Sequence, residues 1–70
     1  MDRISVESSS LVSVGYDPAS ETLEVEFQTG IYQYFGVPAE RHEGLMDAES
    51  KGAYFNQFIR DAYPFQKIAW

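Results

Sequence analysis

Thr22 to Gln28 alternates with a period of two, with Leu23, Val25 and Phe27 on one side and Glu24 and Glu26 on the other. This is the pattern of a half-buried strand. The segment before it, Leu11 to Tyr16, is β-branched and ends in a turn cluster. Asp17-Pro18 opens that turn, because proline fixes φ and aspartate can bond back to the backbone. A third strand, centred on Tyr32-Gln33-Tyr34, follows Gly30. The expected sheet is a three-stranded antiparallel meander.

The turn between the second and third strands decides where the tyrosines point. A two-residue Thr29-Gly30 loop of type I′ would put a β-branched residue at positive φ, and type II′ wants glycine first. A three-residue Gln28-Thr29-Gly30 loop avoids that strain by placing glycine at the left-handed position of a G1 bulge. On this reading Phe27 pairs with Ile31, Val25 with Gln33 and Leu23 with Phe35. Tyr32 and Tyr34 then fall on the opposite face, beside Glu26 and Glu24. A slip of one residue reverses the assignment.

Val37-Pro38 ends the sheet. Proline at the first helical position predicts a short helix to about Asp47, anchored by Leu45 and Met46 and weakened by Gly44. Ser50 is a good cap for a second helix. Its apolar stripe, Tyr54, Phe55, Phe58, Ile59 and Ala62, packs on the sheet, and Pro64 stops it. The tail from Phe65 to Trp70 either packs back on the domain or adds a short edge strand. The fold class is therefore α+β: three strands, two short helices and an optional C-terminal strand, all in one domain over residues 1–70.

Composition narrows the function. Eleven of 70 residues are aromatic, and large rings supply the buried area that so small a core needs. The absence of cysteine excludes disulfides and thiolate metal sites. Net charge is −6, unevenly spread. Residues 1–50 carry two basic residues against ten acids, while residues 51–70 carry Lys51, Arg60 and Lys67 against Asp61. Phosphate is bound by Lys and Arg, so an anion site belongs near the second helix. The N-terminus lacks the basic start and apolar run of a signal peptide, and no apolar stretch approaches the ~20 residues of a membrane span. A cytoplasmic location is expected.

The ordered series is Val6-Glu7-Ser8-Ser9, Leu11, Val14-Gly15-Tyr16-Asp17, Leu23 to Phe27, Gly30, Tyr32-Gln33-Tyr34 and Val37-Pro38. It continues through Ala48 to Gly52, Tyr54-Phe55-Asn56, Ile59-Arg60 and Tyr63-Pro64. This series, over about residues 6–68, resembles the KTSC domain. That family is named for its occurrence at the C-terminus of some lysyl-tRNA synthetases, also occurs as a free-standing small bacterial protein, and has a central Tyr-x-Tyr motif. Family members usually carry one more residue between the turn glycine and that motif, whereas here Gly30-Ile31-Tyr32 is continuous. The resemblance implies no established activity, and only an association with RNA through the synthetase context.

The residues themselves point to no catalytic site. One histidine, His42, is expected on an exposed helix turn and cannot form a metal site alone. The acids lack calcium-loop spacing. The serines lack a nucleophile elbow, and Glu24 and Glu26 on a flat strand face lack the burial that would split their pKa values. No enzyme activity, cofactor or metal is expected. Two binding constellations remain. Tyr32 and Tyr34 project from one strand face about 7 Å apart, the spacing of a base-stacking platform, or else of core rings under a helix. Ser50, Lys51 and Gly52 open a helix whose N–H groups and Lys51 charge suit an anion, or else form an ordinary cap. Asn56 and Arg60 would extend that surface along the helix, or else form a solvated face, and Lys67 would complete the basic patch. The leading expectation is a small non-catalytic binding module associated with RNA. The alternative is a protein-interaction or self-association module that uses exposed aromatics, the acidic strand face and the tail ending in Trp70.

Overall fold

The computed structural model describes residues 1–69. Five antiparallel strands and two helices run in the order β1 (Ile4–Ser5), β2 (Leu11–Asp17), β3 (Thr22–Phe27), β4 (Gly30–Phe35), α1 (Ala39–Asp47), α2 (Lys51–Phe58) and β5 (Phe65–Ala69). The sheet order is β1-β2-β3-β4-β5. The expected three-stranded meander is therefore its centre. The tail does add an edge strand, and a fifth strand at the other edge comes from a segment too short to show a period. Trp70 lies outside the described residues. Among them, no helix is long and apolar enough to cross a membrane.

The β3–β4 register corrects the expected facing of the tyrosines. Phe27 pairs with Gly30, Glu26 with Ile31, Val25 with Tyr32 and Leu23 with Tyr34. The loop is thus Gln28-Thr29, two residues long. Neither loop residue takes a positive φ; the unusual torsion falls on Gly30, at φ 152°. The strain that argued against a two-residue loop is avoided by moving it onto the first residue of β4, where glycine tolerates it. This one-residue difference puts Tyr32 and Tyr34 on the face of Leu23 and Val25, not beside the glutamates.

Both helices cover that face. Leu11, Val14, Leu23, Val25, Tyr34, Val37, Leu45, Phe55 and Ile59 form the core. Pro38 occupies the cap position of α1 with extended backbone, one residue before the helix proper. Ser50 caps α2, its Oγ accepting from the Ala53 amide at 3.2 Å. α2 ends at Phe58, so its buried stripe stops at Ile59, and Ala62, expected to extend it, is exposed. The Ile59 and Arg60 amides both donate to the Phe55 carbonyl, which closes the last turn before Pro64. Arg41 ties the helices together: its guanidinium lies 5.0 Å from the Phe58 ring centre and donates to the Tyr54 hydroxyl at 3.5 Å.

The outer face of the sheet is not a solvated acidic stripe. Glu24 is 4% exposed. Arg3 reaches across β2 from the N-terminal segment, pairs with Glu24 and donates to Ser13 Oγ at 2.9 Å. Gln33 donates to the second Glu24 oxygen at 2.9 Å, and Ser13 donates to Glu26 at 2.8 Å. Burial opposes the Glu24 charge, but the hydrogen bonds from Gln33 and Arg3 and the Arg3 charge together hold its carboxyl below the ordinary carboxylate range. His42, expected on the surface, is half-buried and stacks on Tyr16 with ring centres 4.6 Å apart and planes 10° apart. Burial holds its pKa below the usual imidazole value despite the nearby Glu43.

Both shifts have the same sign for stability. Each group has a folded pKa below its unfolded one, so the unfolded chain takes up the proton first. Stability is fully present above the unfolded values and is lost as pH falls through the folded ones. Urea midpoints between pH 8 and pH 3 should therefore fall in two stages, the first beginning near the ordinary histidine range and the second near the ordinary carboxylate range. His42→Gln should remove the first stage and Glu24→Gln should flatten the second. A pH-independent midpoint would refute both assignments.

Candidate functional site

Antiparallel pairing of β4 with β5 sets Tyr34 opposite Phe65 and Tyr32 opposite Lys67. Alternation then puts all four on the helix side of the sheet. α2, eight residues long, meets β4 where Phe55 packs on Tyr34. What remains between α2 and the β4–β5 pair is a groove of about 540 Å³, within the range that holds small ligands.

Its floor is a closed circuit of five rings. Phe27 meets Tyr32 at 5.8 Å between ring centres, and Tyr32 meets Phe65 at 6.1 Å. Phe65 meets Tyr34 at 5.5 Å, Tyr34 meets Phe55 at 5.2 Å, and Phe55 returns to Phe27 at 5.1 Å. Edge-to-face and tilted contacts of this kind fix ring orientation. Tyr34 and Phe55 are buried, Tyr32 is half-buried and Phe65 is 58% exposed. The floor therefore grades from core to open surface, and Phe65 is its accessible ring.

The rim is polar. Asn56, Arg60 and Asp61 line it on the α2 side. The hydrogen bonds and ion pair found among the described residues engage none of these three side chains. Lys67 Nζ lies 5.9 Å from the centre of the Tyr32 ring, a cation–π distance. Burial raises the pKa of the Tyr34 hydroxyl; the Tyr32 and Asp61 charges add to that and Arg60 opposes it. Arg60 and Asp61 thus act on the same end of the groove.

Of the residues singled out from the sequence, the fold brings Tyr32, Tyr34, Asn56 and Arg60 to this groove, and sets Lys67 beside it, near the Tyr32 ring. Ser50 and Lys51 lie at the start of α2 in other roles. Ser50 caps the helix, and Lys51 Nζ donates to the Ala48 carbonyl at 3.2 Å. Gly52 is a close-packing position, where a Cβ would sit 2.8 Å from Ser10 Oγ. Phe27, Phe55, Phe65 and Asp61 were not anticipated as site residues. One signal for Phe65 was present: Phe65 and Lys67 are spaced as Tyr32 and Tyr34 are, which is how a second strand contributes to one face.

A family model described as the KTSC domain matches residues 7–63. An uncharacterized protein from Stutzerimonas stutzeri is 48% identical over 61 residues, covering 86% of this chain and 86% of that protein. The lysine–tRNA ligase of a Nostoc species is 39% identical over 64 residues, which are 90% of this chain but only 11% of the ligase. The crystal structure of a KTSC domain protein from Yersinia pestis superimposes with a TM-score of 0.94 at 43% identity, covering 96% of each chain.

Proposed function

The chain belongs to the KTSC domain family, and from that premise we propose that it is a non-catalytic module that binds single-stranded RNA in the groove between α2 and the β4–β5 pair. The observation that carries this reading is the graded aromatic floor beside two basic residues, Arg60 and Lys67. Unpaired bases are held by stacking on aromatic rings, at about 1–3 kcal/mol per base, and phosphates by Arg and Lys. Outside this region the chain carries ten acids against Arg3, Arg41 and Lys51, which disfavours phosphate there. The occurrence of the same domain within lysine–tRNA ligases supplies a context for RNA but no mechanism.

A chemical-shift titration with short single-stranded RNA at low salt tests the reading. Tyr32, Asn56, Arg60, Phe65 and Lys67 amides should shift together, and affinity should fall several-fold between 50 and 200 mM salt, since only about two phosphates are contacted. Phe65→Ala and Arg60→Ala should each weaken binding about tenfold or more. Absence of any shift in the groove at millimolar RNA would refute it.

One observation favours a protein partner instead. β5 is an open sheet edge with Phe65 and Ile68 both exposed, and an edge of this kind accepts an added strand. Shifts confined to β5 in the presence of a peptide, insensitive to salt, would support that alternative.

A further inference from the structure

Within the RNA reading, on which this inference rests, the rim chemistry selects among bases. We infer that the groove takes one unstacked guanine, whose Watson–Crick edge is read by the Asp61 carboxylate while Arg60 holds its 5′ phosphate.

The aromatic floor alone does not discriminate among bases. Every base has a π-face, so the exposed Phe65 ring and the half-buried Tyr32 ring bind any of them. Discrimination must come from the rim, and its polar side chains are Asn56, Arg60 and Asp61, with Ser10 and Thr29 across the opening. An ionised carboxylate only accepts hydrogen bonds. Guanine alone presents two adjacent donors, N1–H and N2–H₂, which match two carboxylate oxygens. Adenine presents N1, an acceptor, beside N6–H₂ and would set a lone pair against the carboxylate. Cytosine likewise places an acceptor beside its one amino donor, and uracil flanks its single N3–H with two carbonyls. The carboxylate therefore favours guanine and disfavours the others, which is discrimination by both attraction and repulsion.

The neighbouring groups fit the same ligand. Asn56, near the end of α2 and four residues before Arg60, supplies an amide that can donate to guanine O6. Arg60, next to Asp61 in the chain, offers the planar donor set that suits phosphate. Asp61 places an acid beside Arg60 at the rim of the groove. A groove built only for phosphate would do better with a neutral residue there.

The test is a chemical-shift titration of the full chain with the four nucleoside 5′-monophosphates and with the oligonucleotides UUGUU and UUAUU, at low salt. GMP should bind about tenfold tighter than AMP, CMP or UMP, the discrimination expected of one bidentate base contact. UUGUU should bind tighter than both UUAUU and GMP. Asp61→Asn should abolish the guanine preference while keeping residual binding, and Arg60→Ala should weaken all ligands alike. Because Asp61 is exposed, its substitution leaves the fold intact, checked by an unchanged amide spectrum in the core. Equal binding of all oligonucleotides, or a uniform gain for all of them in Asp61→Asn, would overturn the guanine site while leaving the RNA reading standing. Binding of GMP with no binding of either oligonucleotide would remove the RNA reading and this inference with it, leaving a site for the free nucleotide only. No binding of any ligand would remove both.

Discussion

Phe55→Ala is expected to lower the melting temperature by about 15–30 °C, by the scaling for a domain of this size in which each kcal/mol moves the midpoint by roughly 4–8 °C. Phe55 is 3% exposed and touches Phe27 at 5.1 Å and Tyr34 at 5.2 Å, both edge to face. Truncating a buried phenylalanine costs about 3–5 kcal/mol. A chain of this length holds only about 4–10 kcal/mol in total, at roughly 0.05–0.15 kcal/mol per residue. The ring is also the link in the aromatic circuit that joins the helix layer to the sheet. Its loss removes one wall of the groove and the reason Tyr34 keeps its orientation. Phe55→Leu, which keeps apolar volume but not the ring edges, should cost less than half as much. Differential scanning calorimetry of the two variants decides this, and a shift below 5 °C for the alanine variant would show that α2 contributes little to holding the fold.

The second large effect comes from a residue with no side chain. Gly15→Ala is expected to destabilise the domain by about 2 kcal/mol, within the roughly 1–3 kcal/mol range of overpacking, and to detach β1. A Cβ at position 15 would stand 2.5 Å from the Asp2 carbonyl oxygen and 3.1 Å from Arg3 Cγ. Backbone cannot yield cheaply there, so the N-terminal segment must lift. Arg3 goes with it, and Glu24 keeps only Gln33 as a partner in a site that is 4% exposed. A buried carboxylate that loses its cation is costly, although water entering beside the partly exposed Arg3 position limits the loss. Hydrogen exchange should show the Val6 amide, which donates to the Val12 carbonyl at 3.1 Å, losing protection while β3 and β4 amides keep theirs. Arg3→Ala should reproduce part of the loss. Full protection at Val6 in Gly15→Ala would show that the segment accommodates the methyl in place.

Much of this architecture was legible in the chain. The alternation of Leu23, Val25 and Phe27 placed β3, the Asp17-Pro18 pair placed the first turn, Ser50 placed the start of α2, and Leu45 and Phe55 were expected as apolar anchors. What failed did so at points where local reasoning could not see the deciding contact. The facing of Tyr32 and Tyr34 hung on one residue of register. The turn was judged by the torsions its own loop residues would need, yet the awkward torsion was carried by Gly30 inside the strand. Glu24 looked solvated because Glu-Val-Glu alternation usually marks a wet face, and the residue that buries it, Arg3, lies 21 positions away. β1, at two residues, is too short to have a period. The groove followed the same division. Its basic and tyrosine residues were named from the sequence, but Phe65 and Asp61 became part of it only through β5 pairing and the early end of α2.

The outermost strand has a bearing on how the protein behaves when crowded. β5 reads Phe-Gln-Lys-Ile-Ala, and Lys67 is the one charge on it. A bare edge with exposed phenylalanine and isoleucine is a template on which further chains can stack, and a central lysine is a common obstacle to that process. Two copies meeting edge to edge in antiparallel fashion about position 67 would bring their ammonium groups together. The same residue that lies near the Tyr32 ring thus also opposes edge-to-edge growth, so neutralising it, whether by acetylation or by substitution, should raise the tendency of the chains to stack into assemblies.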